Sequence, residues 1–555
     1  MVTELRYPTG PGQTGRLDPV HRPDAILDDA HRGDIEGALG TVRAHDYAPR
    51  RSWSARLLTL LAIMGPGLIV MVGDNDAGGV ATYAQAGQNY GVSLLWVLLL
   101  LIPVLIVNQE MVVRLGLVTG VGHARLIIER FGKFWGAFSV GDLFILNFLT
   151  IVTEFIGVSL SLAYFGVSHF LSVPIAAGLL IVSAITGSFR RWERIMYFLV
   201  VTNFVAIPLA FMAHPTAGPI LHGAIIPGVQ GGLDATSLLL IIAMVGTTVA
   251  PWQLFFQQSN VIDKRLTPRW MAYERADTAI GSIVVILGAA ALIVATAFAF
   301  KGTHLTGQFS DASATATGFS RQLGHGAGAL FAIALLNASL IGAAAVTLST
   351  TYAFGDVFGI KHSLHRSWTD ARGFYAIYSI LVLAAAGIVL IPHAPLGLIT
   401  MAVQALAGIL LPSATVFLLL LCNDRAVLGP WVNRAWVNVV AAIIVGILVM
   451  LSLILAVATL FPDVDVRRLT LILAVILGNG LLLAGLLYLG QRRTRGYAKA
   501  RPRGDRMTWR MPPLATLARP VWSPTTRMGM IVLRGYLLLA GLLMVVKVAR
   551  LATGH

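Results

Sequence analysis

From about residue 57 almost to its end, the chain is a succession of apolar windows separated by short polar joints. Windows of about 20 residues match a hydrocarbon core of roughly 30 Å crossed by a helix, whereas barrel strands leave short alternating patterns. The fold class is therefore an all-α polytopic membrane protein. Composition agrees, with 56% hydrophobic residues, 12% charged residues and a mean hydropathy of +0.76 over 555 residues. Spans are expected near 57–87, 92–115, 136–164, 171–188, 192–213, 236–258, 277–300, 326–355, 373–392, 396–422, 433–460, 469–490 and 529–548. Arg534 and Lys547 bracket the last, which suits a helix lying at the interface as well as a crossing.

The net charge of +15 would suggest nucleic acid in a soluble protein, but its placement argues otherwise. Basic residues collect in alternate joints: Arg50, Arg51 and Arg56, then Arg125, Arg130 and Lys133, then Arg190, Arg191 and Arg194. Lys264, Arg265 and Arg269 follow, then Lys361, Arg366 and Arg372, while Lys301 and Arg321 are isolated exceptions. This alternation marks the cytoplasmic side of a cell-membrane protein, puts the N terminus there, and makes the lipid bilayer the partner instead of nucleic acid. One cysteine, Cys422, excludes an internal disulfide and a multi-cysteine metal site. No cleavable signal peptide is expected, since the first 50 or so residues are polar and mixed in charge.

The expected organisation is a cytoplasmic segment over 1–54, read as an extension with at most one short helix, then a five-helix repeat over 55–215. A second, inverted repeat over 232–425, two further spans over 430–490, a basic cytoplasmic linker over 491–528 and a hydrophobic helix over 529–555 complete it.

The first span contains an interruption at membrane depth, Gly73-Asp74-Asn75-Asp76-Ala77-Gly78-Gly79. Glycines weaken the helix there, and a helix breaks in hydrocarbon only where its freed groups meet protein, water or a ligand. With no Lys or Arg nearby in the span, a cation is the natural partner for these carboxylates. An Asp74 cap on a second half-helix is the structural alternative. The sixth span breaks independently, at Ala250-Pro251-Trp252, where proline frees carbonyls near Thr247 and Thr248. Breaks at the first position of successive five-span units are expected of two inverted repeats crossing at a midplane ion site. Glu110 and Glu154 are further acids within spans, each able to neutralise a cation or to organise helices.

These residues resemble the Nramp family of divalent-metal transporters from about Ala55 to Pro462. The likeness rests on GPG at the start of span one, Asp76-Ala77-Gly78-Gly79 where the family has Asp-Pro-Gly-Asn, and RLGLVTG at Arg114 to Gly120. It continues through VGTTVAP at Val245 to Pro251, LLNAS at Leu335 to Ser339, and Gln404 seven residues before Leu411-Pro412. The resemblance implies an inverted-repeat fold that imports manganese or ferrous ions with protons. Asp76 matches the metal-binding aspartate, but Gly79 stands for its asparagine partner, and Ala250-Pro251-Trp252 stands for Met-Pro-His. Ile151 replaces the aspartate three residues before Glu154. Loss of the thioether shifts preference from soft towards hard cations, and loss of the usual proton carriers argues against proton coupling.

The chain is thus most similar to the Nramp-related magnesium-transporter branch. The expected cargo is partly hydrated Mg²⁺, with Mn²⁺ as a further substrate, held by Asp76 with carbonyls near Gly73 and Thr247. Asp74, Asn75, Thr248, Gln404 and Glu154 are further contacts, direct or through water. No cofactor is expected. The rivals are a proton-coupled Mn²⁺/Fe²⁺ transporter of the usual family type, a sodium-coupled small-solute carrier, a channel and a receptor. An enzyme is disfavoured, because no nucleophile, base and activated ligand come together and His214, His222 and His362 fall in connections.

Overall fold

The computed structural model describes residues 25–392, 396–461, 464–494, 506–507, 509–517 and six positions between 530 and 538. Residues 1–24, much of the basic linker and most of the expected C-terminal helix lie outside them. Among the described residues, 10 helices are long and apolar enough to cross a membrane. They are span two (Leu95–Thr119), three (Lys133–Tyr164), five (Phe189–Met212), six (Ala235–Asp263), seven (Pro268–Phe300), eight (His325–Phe358), nine (Arg372–Val389), ten (Leu396–Asn423), eleven (Ala435–Leu460) and twelve (Val466–Thr494). The fourth span is a shorter apolar helix of 16 residues, His169–Ala184.

Span one departs from the expected boundaries. Trp53–Ile63 is a separate helix bent by 52° from Pro66–Gly73. The broken span itself comprises Pro66–Gly73 and Ala77–Tyr90. Gly65 makes the bend at φ +148°, and Pro66 then opens the helix with its ring already at helical φ. The Asp277 carboxylate from span seven accepts the N–H groups of Gly65 (3.0 Å), Gly67 (2.7 Å) and Leu68 (3.1 Å), which satisfies donors that a helix start leaves free. Trp53 and Leu58 of the preceding helix remain exposed, as suits a helix lying at the bilayer surface.

The two five-span units carry the same accessory parts. A short helix, His123–Phe131, joins spans two and three, and another, Ala312–Leu323, joins spans seven and eight. Equivalent spans pack on one another: three on eight, two on seven and four on nine. Spans one and six both break, the latter between Ala235–Thr248 and Pro251–Asp263. The architecture is the inverted five-plus-five repeat. Spans eleven and twelve are appended to it: Ser452 Oγ of span eleven donates to Gly408 O of span ten at 2.8 Å, and span twelve packs on span eleven. Span twelve leaves Leu471, Ile472, Val475 and Ile476 exposed, a lipid-facing pattern.

The joints with alternating charge gather on opposite faces. On one, Gln88 Nε2 donates to Leu305 O (2.9 Å), Trp96 Nε1 to Gly228 O (2.9 Å) and the Phe309 N–H to Asn89 Oδ1 (3.2 Å). On the other, the basic joints meet residues 25–50, which are not the loose extension expected. They form a strap built on a two-stranded hairpin, Ile35–Gly37 and Gly40–Val42, seated on the Trp53–Ile63 helix. Arg265 Nε, at the end of span six, donates to Ala30 O at 2.9 Å, and Arg269 Nη1 to Asp46 O at 2.6 Å. Arg190 donates to Gly37 O (3.2 Å) and Arg194 to Ala38 O (3.2 Å), while Asp28 pairs with Arg366 between spans eight and nine. The strap therefore ties spans five, six and seven to the joint between eight and nine.

Candidate functional site

The site forms where the two breaks meet. Asp76, not Asp74, caps the second half of span one: the Gly79 N–H donates to Asp76 Oδ1 at 2.6 Å. Glu154 Oε2, from span three, accepts the next free donor, the Ala77 N–H, at 3.1 Å. Both acids are buried, and Glu154 Oε1 has no hydrogen-bond partner. Span six supplies Thr247, whose Oγ1 is likewise buried without a partner. A Cβ added to Gly79 would lie 3.1 Å from Asp74 O, 3.2 Å from Thr247 Oγ1 and 3.3 Å from Asp76 Oδ1. Three oxygens from both broken helices thus converge on the space that glycine leaves open. Gln404 closes one side, since a Cβ on Gly78 would collide with its amide. Glycine at 78 and 79 therefore serves proximity as well as helix breaking.

The remaining expected residues divide. The carbonyl of Asp74 joins the cluster, but its carboxylate faces the Gln253 and Tyr83 side; both oxygens are fully buried without a hydrogen-bond partner. Asn75 points to span seven, where its amide donates to Val285 O at 3.1 Å. Thr248 is already hydrogen-bonded, unlike Thr247. Its hydroxyl donates to Met244 O at 2.6 Å and lies 2.7 Å from the Tyr83 hydroxyl, because β-branched hydroxyls reach back to the preceding turn. Gly73 packs against Trp252, whose ring would stand 3.4 Å from a Cβ there. Ala250 is extended at the break and Pro251 starts the second half of span six.

Glu110 is away from the site. It is ion-paired with Arg114 at 3.0 Å and hydrogen-bonded by Arg275 Nε at 3.0 Å, so it organises helices. Sequence reasoning missed Gln253, which donates to Thr248 O (3.3 Å) and accepts from Gln109 Nε2 (2.9 Å), fixing the span-six break. Two glutamines within apolar spans were the available signal. Gly342 was also missed: a Cβ there would lie 2.8 Å from the Glu154 carboxyl and 3.0 Å from Asp76 Cβ. Among the described residues, no three His, Cys, Asp or Glu side chains stand close enough together to hold a metal. The oxygens beside Gly79 are instead one carboxylate, one hydroxyl and one backbone carbonyl.

Paired helix breaks at the midplane of an inverted repeat, lined by oxygens and buried carboxylates, define a secondary transporter working by alternating access. The family model for natural resistance-associated macrophage protein-like (Nramp) sequences matches residues 67–458. The chain belongs to the Nramp family; it is a divalent-metal transporter and not an enzyme. It is 31% identical over 405 residues to the divalent metal cation transporter MntH of Ralstonia nicotianae, covering 69% of this chain and 87% of the relative. It is 28% identical to the MntH of Bacillus subtilis, covering 72% and 93%. A crystal structure of a mutant of the Eremococcus coleocola manganese transporter superposes with a TM-score of 0.62 at 23% identity, covering 84% of this chain and 98% of that one, which shows the shared fold.

Proposed function

We propose that the chain imports a hard divalent cation, Mg²⁺ foremost and Mn²⁺ as a further substrate, across the plasma membrane with little or no proton coupling. The observation that carries this reading is the convergence of Asp74 O, Thr247 Oγ1 and Asp76 Oδ1 beside Gly79, with alanine at 250 supplying no sulfur. Oxygen ligands suit Mg²⁺ and Mn²⁺ alike, while a small ligand set suits Mg²⁺ because it retains several waters. Asp76 is the anchoring carboxylate, Glu154 and Gln404 flank it, Gly78 makes room for Gln404, and Gly79 admits the ion. The strap-bearing face is cytoplasmic in this reading, and the five-helix units run over 55–215 and 232–425. Trp252 and Ile151 leave the usual proton carriers absent, so the membrane potential drives entry, acting on a double charge by up to roughly 4.6 kcal/mol per 100 mV.

The name of the Eremococcus coleocola manganese transporter points to Mn²⁺; in a second reading, Mn²⁺ moves with protons and Glu154 is the carrier. Reconstitution in liposomes separates the two. Internal indicators for Mg²⁺ and Mn²⁺ are read alongside internal pH, with Asp76→Ala as control. Asp76-dependent Mg²⁺ entry without acidification supports the first reading. Mn²⁺ entry with acidification and no Mg²⁺ entry supports the second, and full uptake by Asp76→Ala overturns both.

A further inference from the structure

A small cleft lies between spans three, six and ten, on the strap side of the helix breaks. Pro251 and Phe255 form its wall towards span six, and its polar groups are Ser139, Asp142 and Ser413. Asp142 is half-buried and stands twelve residues before Glu154 on the same helix, about 18 Å nearer the strap face. Its side-chain hydrogen bond is to Ser413 Oγ at 3.3 Å. That hydroxyl has one proton, which a closer acceptor, Leu410 O at 2.9 Å, also claims. The carboxylate is thus under-satisfied, and its described surroundings hold no basic side chain.

The helix between the two acids continues the pattern. At 100° per residue, positions 139, 142, 147, 150 and 154 fall within an arc of about 140°, so one side of span three carries Ser139, Asp142, Asn147, Thr150 and Glu154. Asn147 donates to Thr350 Oγ1 at 2.8 Å, leaving its Oδ1 buried without a partner, as Glu154 Oε1 is. The unsatisfied atoms along this stripe are acceptors. A run of acceptors ending in an acid favours a cation and repels an anion.

We propose that Asp142, with Ser139 and Ser413, is an inner binding station for the divalent cation, occupied after release from Asp76 and before exit on the strap face. The proposal rests on the metal-import reading above. It assigns Asp142 to the turnover of the ion and not to its capture, so the two acids differ in the parameter that each controls.

The test uses purified full-length protein in liposomes, with Mg²⁺ and Mn²⁺ uptake measured over a range of external concentrations. Asp142→Asn is expected to lower the maximum rate at least fivefold with half-saturation unchanged, and Asp142→Glu to restore at least half of it. Asp76→Ala is expected to lose uptake altogether. A wild-type maximum rate in Asp142→Asn, with Asp76→Ala inactive, overturns the inner station while leaving the metal reading intact; normal uptake by Asp76→Ala overturns the metal site itself. Melting temperature reports folding of each variant. Where Asp142→Asn melts well below the parent, Asp142→His replaces it, since imidazole serves Mn²⁺ better than Mg²⁺. Preferential recovery of Mn²⁺ flux then supports the station, and equal loss of both fluxes overturns it.

Discussion

Asp76 and Glu154 meet at one helix end: Asp76 Oδ1 accepts the Gly79 N–H at 2.6 Å, and Glu154 Oε2 accepts the Ala77 N–H at 3.1 Å. Each acid thereby keeps one oxygen on the backbone, and Glu154 Oε1 is left buried without a partner. The pair resembles a hinge pin as much as a binding site, because the same carboxylates hold the second half of span one in place. The position of that half-helix is coupled to both carboxylates through these two bonds.

Gly79→Ala tests the space beside Asp76. Its Cβ would stand 3.1 to 3.3 Å from three oxygens, inside the room that a hydrated ion needs. The position is helical, so alanine itself favours the local backbone. The expected result is a half-saturation constant raised about tenfold, roughly 1.4 kcal/mol, with melting temperature changed little. It is read from Mg²⁺ and Mn²⁺ uptake curves.

Ala250→Met returns a thioether to the span-six break. Ala250 is extended there (φ −82°, ψ 145°), a conformation that methionine adopts without strain. A soft ligand beside Asp76 is expected to improve Mn²⁺ and Cd²⁺ over Mg²⁺ by about tenfold in competition uptake. An unchanged Mg²⁺/Mn²⁺ ratio would show that residue 250 does not face the ion.

Asp28 and Arg366 are expected to hold the strap. Burial opposes the Asp28 charge, but the Arg366 guanidinium and the Ala30 N–H together keep its carboxyl well below the usual carboxylate range. A depressed carboxylate contributes stability above its ordinary pKa of about 3.9 and loses it as pH falls below that value. Asp28→Asn should speed hydrogen exchange across residues 35–42 at neutral pH by about tenfold or more, and Arg366→Gln should match it. The double variant should add little.

His362 supplies the opposite sign. Burial opposes its charge, yet Asp356, with Nε2 to Oδ1 at 3.2 Å, and Ile360 O lift it to about 9. A raised histidine gives stability that is complete below pH 6.5 and is lost as pH rises through about 9. Hydrogen exchange over residues 359–366 should therefore accelerate beyond its intrinsic pH trend between those limits. Asp356→Asn should remove that excess.

Much of this was legible in the chain because bilayers impose one-dimensional rules. Span length, alternate basic joints and the Asp74–Asp76 interruption follow from hydrocarbon thickness and the cost of unsatisfied backbone. The errors arose where three-dimensional partners decide. Gly65 ends a helix inside what reads as one apolar run, because Asp277, more than two hundred residues away, caps the next one. Thr248 looks as free as Thr247 until the turn behind it and Tyr83 take its hydroxyl. Glu110 has Arg114 within its own span, but its second partner, Arg275, reaches it from another helix. The strap was unreadable for the same reason: its sequence is polar and short of pattern, and its partners are dispersed along the chain.

That dispersal fixes an order of events during synthesis. Asp28 lies 338 residues ahead of the arginine that fastens it. At roughly 5–20 residues per second, the ribosome needs on the order of 20–70 s to make the difference. Throughout that interval Asp28 lacks its ion-pair partner, while the strap's other partners, from Arg190 to Arg269, are made earlier. Pairing of Asp28 with Arg366 in the joint between spans eight and nine comes last, so the final fastening of the strap follows the arrival of the second repeat.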